Sequence, residues 1–560
     1  MSRSWDTNLA AAAAAAAGAA LEASGRLVED FPVPGGVVAI TDVNQLLVVS
    51  SFGHDDPVAR TPMVTDRLFE IGSISKILVS LVVNDLIDGG HLALETVVGD
   101  VVPWLADVPQ IRSTSVRALL THTSGLSLGS DALPDDAAEI AAGLSFAVEA
   151  TERFRYSNVG YMVLGEVVRA ITGQRVATVI GANWLDRLAM NNSTSEITHR
   201  DRTRFVPGYR PANPGRPWVP GDPLESAPWF ETDSASGNVA STPADLAALA
   251  RALLRAEAAR RGAQASTPIS VASWTRMTET LAPTGEATYD AGADPVTSSR
   301  YGLGINVELI DGHRCVSHGG GMVGYSTFVL ADLDLGLGVA VLTNANGNSL
   351  GAHVLARLAL AGARAGDSGW RPQLDARARA LPADALGHFL GPSGEALEVA
   401  MRDGVGVVRY GDDEGPLYAT PYGRLTCAHP QLRDYHLDRI QVTGVDGWAH
   451  GPHVFTRRGT PRVDVERVAD PLVGHYRSYS PWFPEFRIIR RLGERYLVAG
   501  DGVEAPFEEL VLVEESGGSG LAWRLGAPGA PERLVVQFQR DGEVIRLVRD
   551  GCAYSRTFSP

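Results

Sequence analysis

Apolar positions recur with different periods in different parts of this chain of 560 residues, and each period predicts its own kind of element. An Ala-rich run over residues 9–23 reads as an amphipathic helix closed by Gly25. Two apolar runs follow at 35–40 and 46–49, with Thr41-Asp42-Val43-Asn44 between them as a hairpin turn. The spacing then becomes helical over 74–87, closed by Gly89-Gly90, and over 116–120. Further helices are predicted over 159–171, closed by Gly173, and over 243–260. Strand-like runs return at 302–309, 324–330 and 339–342, followed by a helix over 351–361. Strands at both ends of a segment, with helices between, predict one antiparallel sheet built from both ends and carrying helices on its faces.

Residues 207–230 break every period. They are rich in Pro and carry Tyr209, Trp218, Trp229 and Phe230, which predicts a long loop. Beyond a linker rich in Ala, Arg, Gly and Asp, helical periodicity fades into short alternating strands. Two starts in that tail are alike: Leu386-Gly387-His388-Phe389 and Val473-Gly474-His475-Tyr476. Their matching ends are Phe455-Thr456-Arg457 and Tyr554-Ser555-Arg556. The repeat predicts two small antiparallel β-barrels or sandwiches of one design, in which His388 and His475 are wall residues. The expected domains are residues 1–365, a linker at 366–383, a first barrel at 384–466 and a second at 467–560.

Composition narrows the function. The formal net charge is −16, which argues against nucleic acid or an anionic membrane surface as partner. No apolar run approaches the ~18 residues that a membrane span requires. Arg3 is offset by Asp6 and polyalanine is only weakly apolar, so the first residues do not demand an export signal; a cytoplasmic protein is expected, with export left open. Cys315, Cys427 and Cys552 stand far apart with no CxxC and no Cys/His cluster, so neither a disulfide framework nor a structural metal site is expected, and no cofactor. The expected partner is a small-molecule or peptide substrate, with a homodimer as a further possibility.

One count changes the picture. Lys76 is the only lysine, and every other Lys or Arg position holds Arg. A lysine kept in such a chain is suspected of work that Arg cannot do, above all giving up its proton. Its surroundings agree. Ser73-Ile74-Ser75-Lys76 opens the apolar helix of 74–87, so Ser73 and Lys76 share one face about a turn apart. Burial there should strip the ammonium of hydration, lower its pKa and let the amine accept the hydroxyl proton. Two further segments suit such a serine. In Tyr156-Ser157-Asn158, the phenol, its pKa lowered by the nearby cation, would relay a proton, and the amide would hold the substrate's carbonyl side. In Ser317-His318-Gly319-Gly320-Gly321, glycines would let a substrate lie against a strand edge and expose an N–H for an oxyanion.

These three motifs, in this order and separation, resemble those of the penicillin-recognising serine hydrolases: class C β-lactamases, DD-carboxypeptidases, D-aminopeptidases and related esterases. Leu119-Leu120-Thr121-His122-Thr123-Ser124-Gly125-Leu126 and Gly237-Asn238-Val239-Ala240-Ser241-Thr242-Pro243 are similar to structural signatures of the same group. The resemblance covers about residues 30–360, and the two-barrel tail resembles the three-domain D-aminopeptidases. It implies an α+β fold: an antiparallel sheet flanked by helices, an all-helical part, then two β-barrels. It also implies Ser73 as nucleophile, Lys76 as base, Tyr156 as proton relay, and Asn158, His318, Gly319 and Gly320 as substrate-binding residues. The backbone N–H groups of Ser73 and Gly321 would form the oxyanion hole.

His318 departs from the family pattern, which has Lys in a Lys-Thr-Gly there. A mostly neutral His suits a substrate carboxylate poorly, which favours an aminopeptidase, amidase or esterase over a β-lactamase or carboxypeptidase. Transfer of the acyl group to an amine or alcohol uses the same chemistry and stays open. So does a sensor that acylates without turnover, because no Glu is recognisable for a deacylation water. The resemblance to the three-domain D-aminopeptidases implies a tail loop that restricts substrate size, sought at 410–424 or 478–486, with a surface loop packing on its own barrel as the alternative.

Overall fold

The computed structural model describes residues 33–345 and 351–365 except 110, 127–128, 130–139, 141–152 and 287–294. In the tail it describes 381 and 383–556 except 420–423, 443–444, 461–469, 500–506, 514–520, 526–531, 539–543 and 550–551. The predicted helix over 9–23 lies almost wholly outside these residues, with 15, 17, 18, 20 and 23 described as helical. The linker expected at 366–383 also lies mostly outside them.

The first two strands, β1 (Gly35–Asp42) and β2 (Leu46–Asp56), form the expected hairpin. Asp42 makes the turn, its Oδ1 accepting from the N–H groups of Asn44 and Gln45 at 2.6 and 2.7 Å. Two short pairs of residues follow as β3 (Thr61–Pro62) and β4 (Phe69–Glu70). The strands β5 (Tyr209–Pro211), β6 (Leu224–Ser226) and β7 (Ala240–Ser241) fall in the middle of the chain. The sheet is completed by β8 (Val296–Tyr301), β9 (Asn306–Ile310), β10 (His313–Met322), β11 (Tyr325–Asp332) and β12 (Leu337–Thr343). Its order is β3-β2-β1-β12-β11-β10-β9-β8, with β1 antiparallel to β12. The two ends of the segment thus share one sheet, as predicted.

The run expected as one strand at 302–309 is instead a turn followed by β9. Gly304 has φ +77°, and the Gly302 N–H closes the turn on the Ile305 carbonyl at 2.8 Å. The strand before it, β8, is largely polar and sits at the sheet edge, so no alternation announced it.

Helices form where apolar spacing placed them, as α1 (Ser75–Asp88), α2 (Val116–Leu120), α3 (Asn158–Thr172), α4 (Pro243–Arg260) and, after α5 (Val271–Glu279), which the sequence reading did not anticipate, α6 (Gly351–Ala365); α4 and α6 pack on the sheet. The Thr242-Pro243 pair explains its own signature. Thr242 caps α4 by accepting from the Asp245 N–H at 3.3 Å, and Pro243 takes the first helical position, where no N–H is needed. In α1 every residue from Ser75 to Asn84 is buried, including Lys76.

In the tail, β13 (Gly387–Leu390) to β20 (His453–Arg457) run in sequence and close into a barrel. A second eight-stranded antiparallel sheet follows in the same order, from β21 (Gly474–Arg477) to β28 (Cys552–Tyr554). Its ends meet where Arg477 bridges Ser555. The repeated motifs have a physical basis. Arg457 lies 4.8 Å from the Phe389 ring centre, and Arg556 lies 5.4 Å from that of Tyr476. Each Arg fills the space beside a glycine, where a Cβ on Gly387 or Gly474 would come within 2.6 or 2.7 Å of it.

By contact density the described chain forms two units, one holding 33–210 and 226–373, the other 211–225 and 374–560. The middle of the Pro-rich loop therefore groups with the tail: Asp222 pairs with Arg433, and the Gly215 carbonyl accepts from Arg487. Of the segments sought for a gating loop, 413–419 is barrel strand and 420–423 lies outside the described residues. The 478–486 segment folds on its own sheet, its Phe483 carbonyl accepting from Tyr554 at 2.9 Å.

Candidate active site

The site begins where β4 pairs with β7 and the chain must turn sharply into α1. Gly72 makes the turn at φ +49°, and a single 3₁₀ turn, Gly72–Ile74, hands Ser73 to the start of α1. Lys76 lies one helical turn on, 0 % exposed, with Nζ 2.9 Å from Ser73 Oγ. Two more acceptors surround that nitrogen: Asn158 Oδ1 at 2.7 Å and the Ser236 carbonyl at 2.6 Å. Burial lowers the Lys76 pKa to about 7, against the pull of the Glu286 carboxyl.

The three partners decide what the amine can do. A neutral amine has two N–H bonds and one lone pair. Neither carbonyl oxygen has a proton to give, so both take N–H bonds. The lone pair is then left facing the one partner that does carry a proton, the hydroxyl of Ser73.

Asn158 is the first residue of α3, which Ser157 caps by accepting from the Gly160 N–H at 3.0 Å. The turn carrying Tyr156 is clamped by His122 of the Leu119–Leu126 signature. The His122 carbonyl accepts from Arg155 N–H at 2.7 Å, and its Nδ1 from Ser157 N–H at 3.1 Å. Its ring lies 4.2 Å from the Tyr156 ring, centre to centre. His122 holds a left-handed φ of +56°, a conformation uncommon for a residue with a side chain.

Two sequence expectations need correction. Tyr156 does not have a lowered pKa. Burial pushes its phenol well above 10, the Glu286 charge adds to the shift, and the hydrogen bond with Ser73 only partly opposes it. Tyr156 beside Ser73 is therefore a neutral phenol. His318 is 0 % exposed, with its Nδ1 2.7 Å from the Gly319 carbonyl and its Nε2 2.8 Å from the Tyr301 hydroxyl. A carbonyl only accepts, so Nδ1 carries the proton and Nε2 accepts from Tyr301. Burial and the Lys76 charge lower the His318 pKa to about 3, which keeps the ring neutral. It has no N–H left for a substrate.

The glycine run has a further use. Pairing of β10 with β9 ends at Ser317, so among the described residues the strand from His318 onward has one edge without a neighbouring strand. A Cβ on Gly320 would lie 2.0 Å from the Ile71 carbonyl, and one on Gly72 would lie 2.6 Å from the Gly321 carbonyl. The glycines thus let the turn bearing Ser73 press directly onto β10, which brings Ser73 and Gly321 together.

Sequence reading missed three contributors. Ser236 acts through its backbone carbonyl, which any residue type supplies. Tyr301 ends a polar edge strand. Glu286 follows an irregular stretch; its Oε2 accepts from Asn306 Nδ2 at 2.5 Å, and its charge acts on Lys76, Tyr156 and Tyr301. None of the three belonged to a periodic element or a recognisable motif.

Comparison with known proteins identifies the family and the fold. A family model described as Beta-lactamase matches residues 25–364. Penicillin-binding protein 4* of Bacillus subtilis is 26 % identical over 320 residues, 53 % of this chain and 65 % of that protein. The curated relatives are matched over only part of their own length, from 38 % to 65 % for the first three. Among solved structures, the octameric penicillin-binding protein homologue from Pyrococcus abyssi has a TM-score of 0.51 at 19 % identity, covering 95 % of this chain and 97 % of its own. The D-amino acid amidase from Ochrobactrum anthropi SV3 also scores 0.51, at 20 % identity, covering 63 % of this chain and 99 % of its own. At such identities these structures establish the fold alone. With the family model spanning more than half of its residues, the chain belongs to the Beta-lactamase family of serine hydrolases.

Proposed function

We propose that the protein cleaves an amide or ester bond through an acyl-Ser73 intermediate, as an amidase, aminopeptidase or esterase. The observation that carries this reading is the buried Lys76 amine, with two carbonyl oxygens to take its N–H bonds and the Ser73 hydroxyl 2.9 Å away as its third partner. In the reaction, Ser73 Oγ attacks the substrate carbonyl as Lys76 takes its proton. The neutral phenol of Tyr156 bonds to Ser73 Oγ and can pass a proton to the departing amine or alcohol while taking in its place the one that Lys76 removed from Ser73. Attack by water on the acyl group, its proton returning to Ser73 Oγ through the same two groups, then frees the enzyme. Asn158 is held through its Oδ1, which leaves its Nδ2 for the substrate's carbonyl side. Backbone N–H groups of Ser73 and Gly321, drawn together by the glycine contacts, would hold the oxyanion.

The neutral, internally bonded His318 supports a substrate without an obligatory carboxylate, because that position offers it neither charge nor donor. The likeness to a D-amino acid amidase is in keeping with this choice. The test is a panel of p-nitroanilides and p-nitrophenyl esters, including D-aminoacyl and cephalosporin substrates, with intact-mass detection of the adduct. Ser73→Ala should remove both turnover and adduct. An adduct that persists in Ser73→Ala contradicts the proposal. Turnover confined to the cephalosporin contradicts the substrate class.

A further inference from the structure

Glu70 ends β4 with 2 % exposure, and its Oε2 has no hydrogen-bond partner among the described residues. An unpartnered carboxyl at that depth is costly to keep. It faces a cavity of about 220 Å³, lined also by Arg67, Arg202, Phe205, Trp229 and Tyr325. Neither Ser73 nor Lys76 lines it, so this is a second site.

The polar groups around the cavity divide into committed and available ones. Arg67 is paired with Asp55 at 2.7 Å, and Tyr325 donates to the Val206 carbonyl at 2.6 Å. The Trp229 Nε1–H is buried and has no acceptor among the described residues. Arg202 is exposed, with its guanidinium 5.7 Å from the Trp229 ring centre. An acid thus sits at the buried end and a cation at the solvent end, with an unsatisfied N–H and the Phe205 and Trp229 rings among the walls. We propose that this cavity binds a zwitterionic amino acid, its ammonium on Glu70 and its carboxylate at the Trp229 N–H and Arg202.

The volume fits that scale, being below the ~300–1,000 Å³ of sites for drug-sized ligands. Proton linkage follows from burial. Glu70 is raised to about 8, so it holds its proton at neutral pH until an ammonium displaces it. The other charged or titratable groups around the cavity are Arg67, with Asp55 paired to it, Arg202 and Tyr325. Occupancy should also reach the catalytic unit. Glu70 stands three residues before Ser73, and Val323, also in the cavity wall, stands two residues after Gly321.

The experiment is calorimetric titration of the full-length chain with L- and D-norleucine at pH 7, in two buffers of different ionisation enthalpy. Butylamine and pentanoate serve as single-ended controls. Saturable norleucine binding with proton release is expected, and both controls should bind more weakly. Glu70→Gln should lose about tenfold or more in affinity together with the proton release. Trp229→Phe keeps the ring but loses the N–H, and should weaken norleucine and pentanoate without affecting butylamine. Melting curves establish that both variants are folded. Absence of saturable binding overturns the proposal, as does equal affinity in Glu70→Gln and parent, which would put the ligand elsewhere. Because no readout depends on turnover, failure here leaves the acyl-Ser73 reading untouched, and the reverse also holds.

Discussion

Lys76 is held by two carbonyl oxygens and one hydroxyl, and the difference between those acceptors gives the amine its direction. Arg in its place stays protonated at any working pH and so cannot act as the base. Lys76→Arg should therefore lower kcat/KM by about a thousandfold or more, measured on whichever ester the panel identifies. Glu70 makes a separate prediction about stability. Its pKa is raised from the ordinary 4.5 to about 8, so the folded state binds more protons than the unfolded state between those values. Stability from this group is full below pH 4.5 and is lost as pH rises to about 8. Glu70→Gln should melt higher than the parent at pH 8 and level with it at pH 4.5, as checked by thermal denaturation. Equal melting curves at both values would show that the buried carboxyl costs nothing. At this scale the grouping of Ser73, Lys76 and Tyr156 was legible because the chemistry proposed for them depends on residue type. The protonation of Tyr156 and the bonding of His318 were not, because both depend on burial and on partners distant in sequence.

Among the elements, β10 and the turn before α1 must touch backbone to backbone, and glycine is what permits it. The contacts make the run testable residue by residue. A methyl on Gly320 meets the Ile71 carbonyl at 2.0 Å, so Gly320→Ala must push the Ser73 turn away. Displacement by about 1 Å is enough to cost on the order of a hundredfold in acylation rate. A methyl on Gly319 finds only the Phe328 ring at 3.6 Å, an ordinary contact, so Gly319→Ala should retain most of the rate. Stopped-flow acylation of the two variants checks the contrast, and equal losses would refute the packing explanation. Helix limits and the β1–β2 hairpin were readable because caps, turns and apolar periods are local. The edge strand β8 was not, because a polar strand half exposed to solvent leaves no periodic trace.

Across the whole molecule, the tail repeats one construction, an Arg at or just beyond the end of the last strand lying over an aromatic of the first strand beside a glycine. The repeat was legible in sequence. That residues 211–225 group with the tail was not, since their pairing with Arg433 and Arg487 spans some 200 residues or more. Removing residues 383–560 should expose 211–225 to limited proteolysis, with cleavage there absent from the full-length chain. The same view of the whole chain supplies its most direct test. Because Lys76 is the only lysine, selective labelling with ¹³C-lysine puts one side-chain signal in the NMR spectrum. The account predicts that this signal titrates with a midpoint near pH 7. A midpoint near the ordinary lysine value of 10.5 would contradict it, because the amine would then be charged, without a lone pair, whenever Ser73 needed a base.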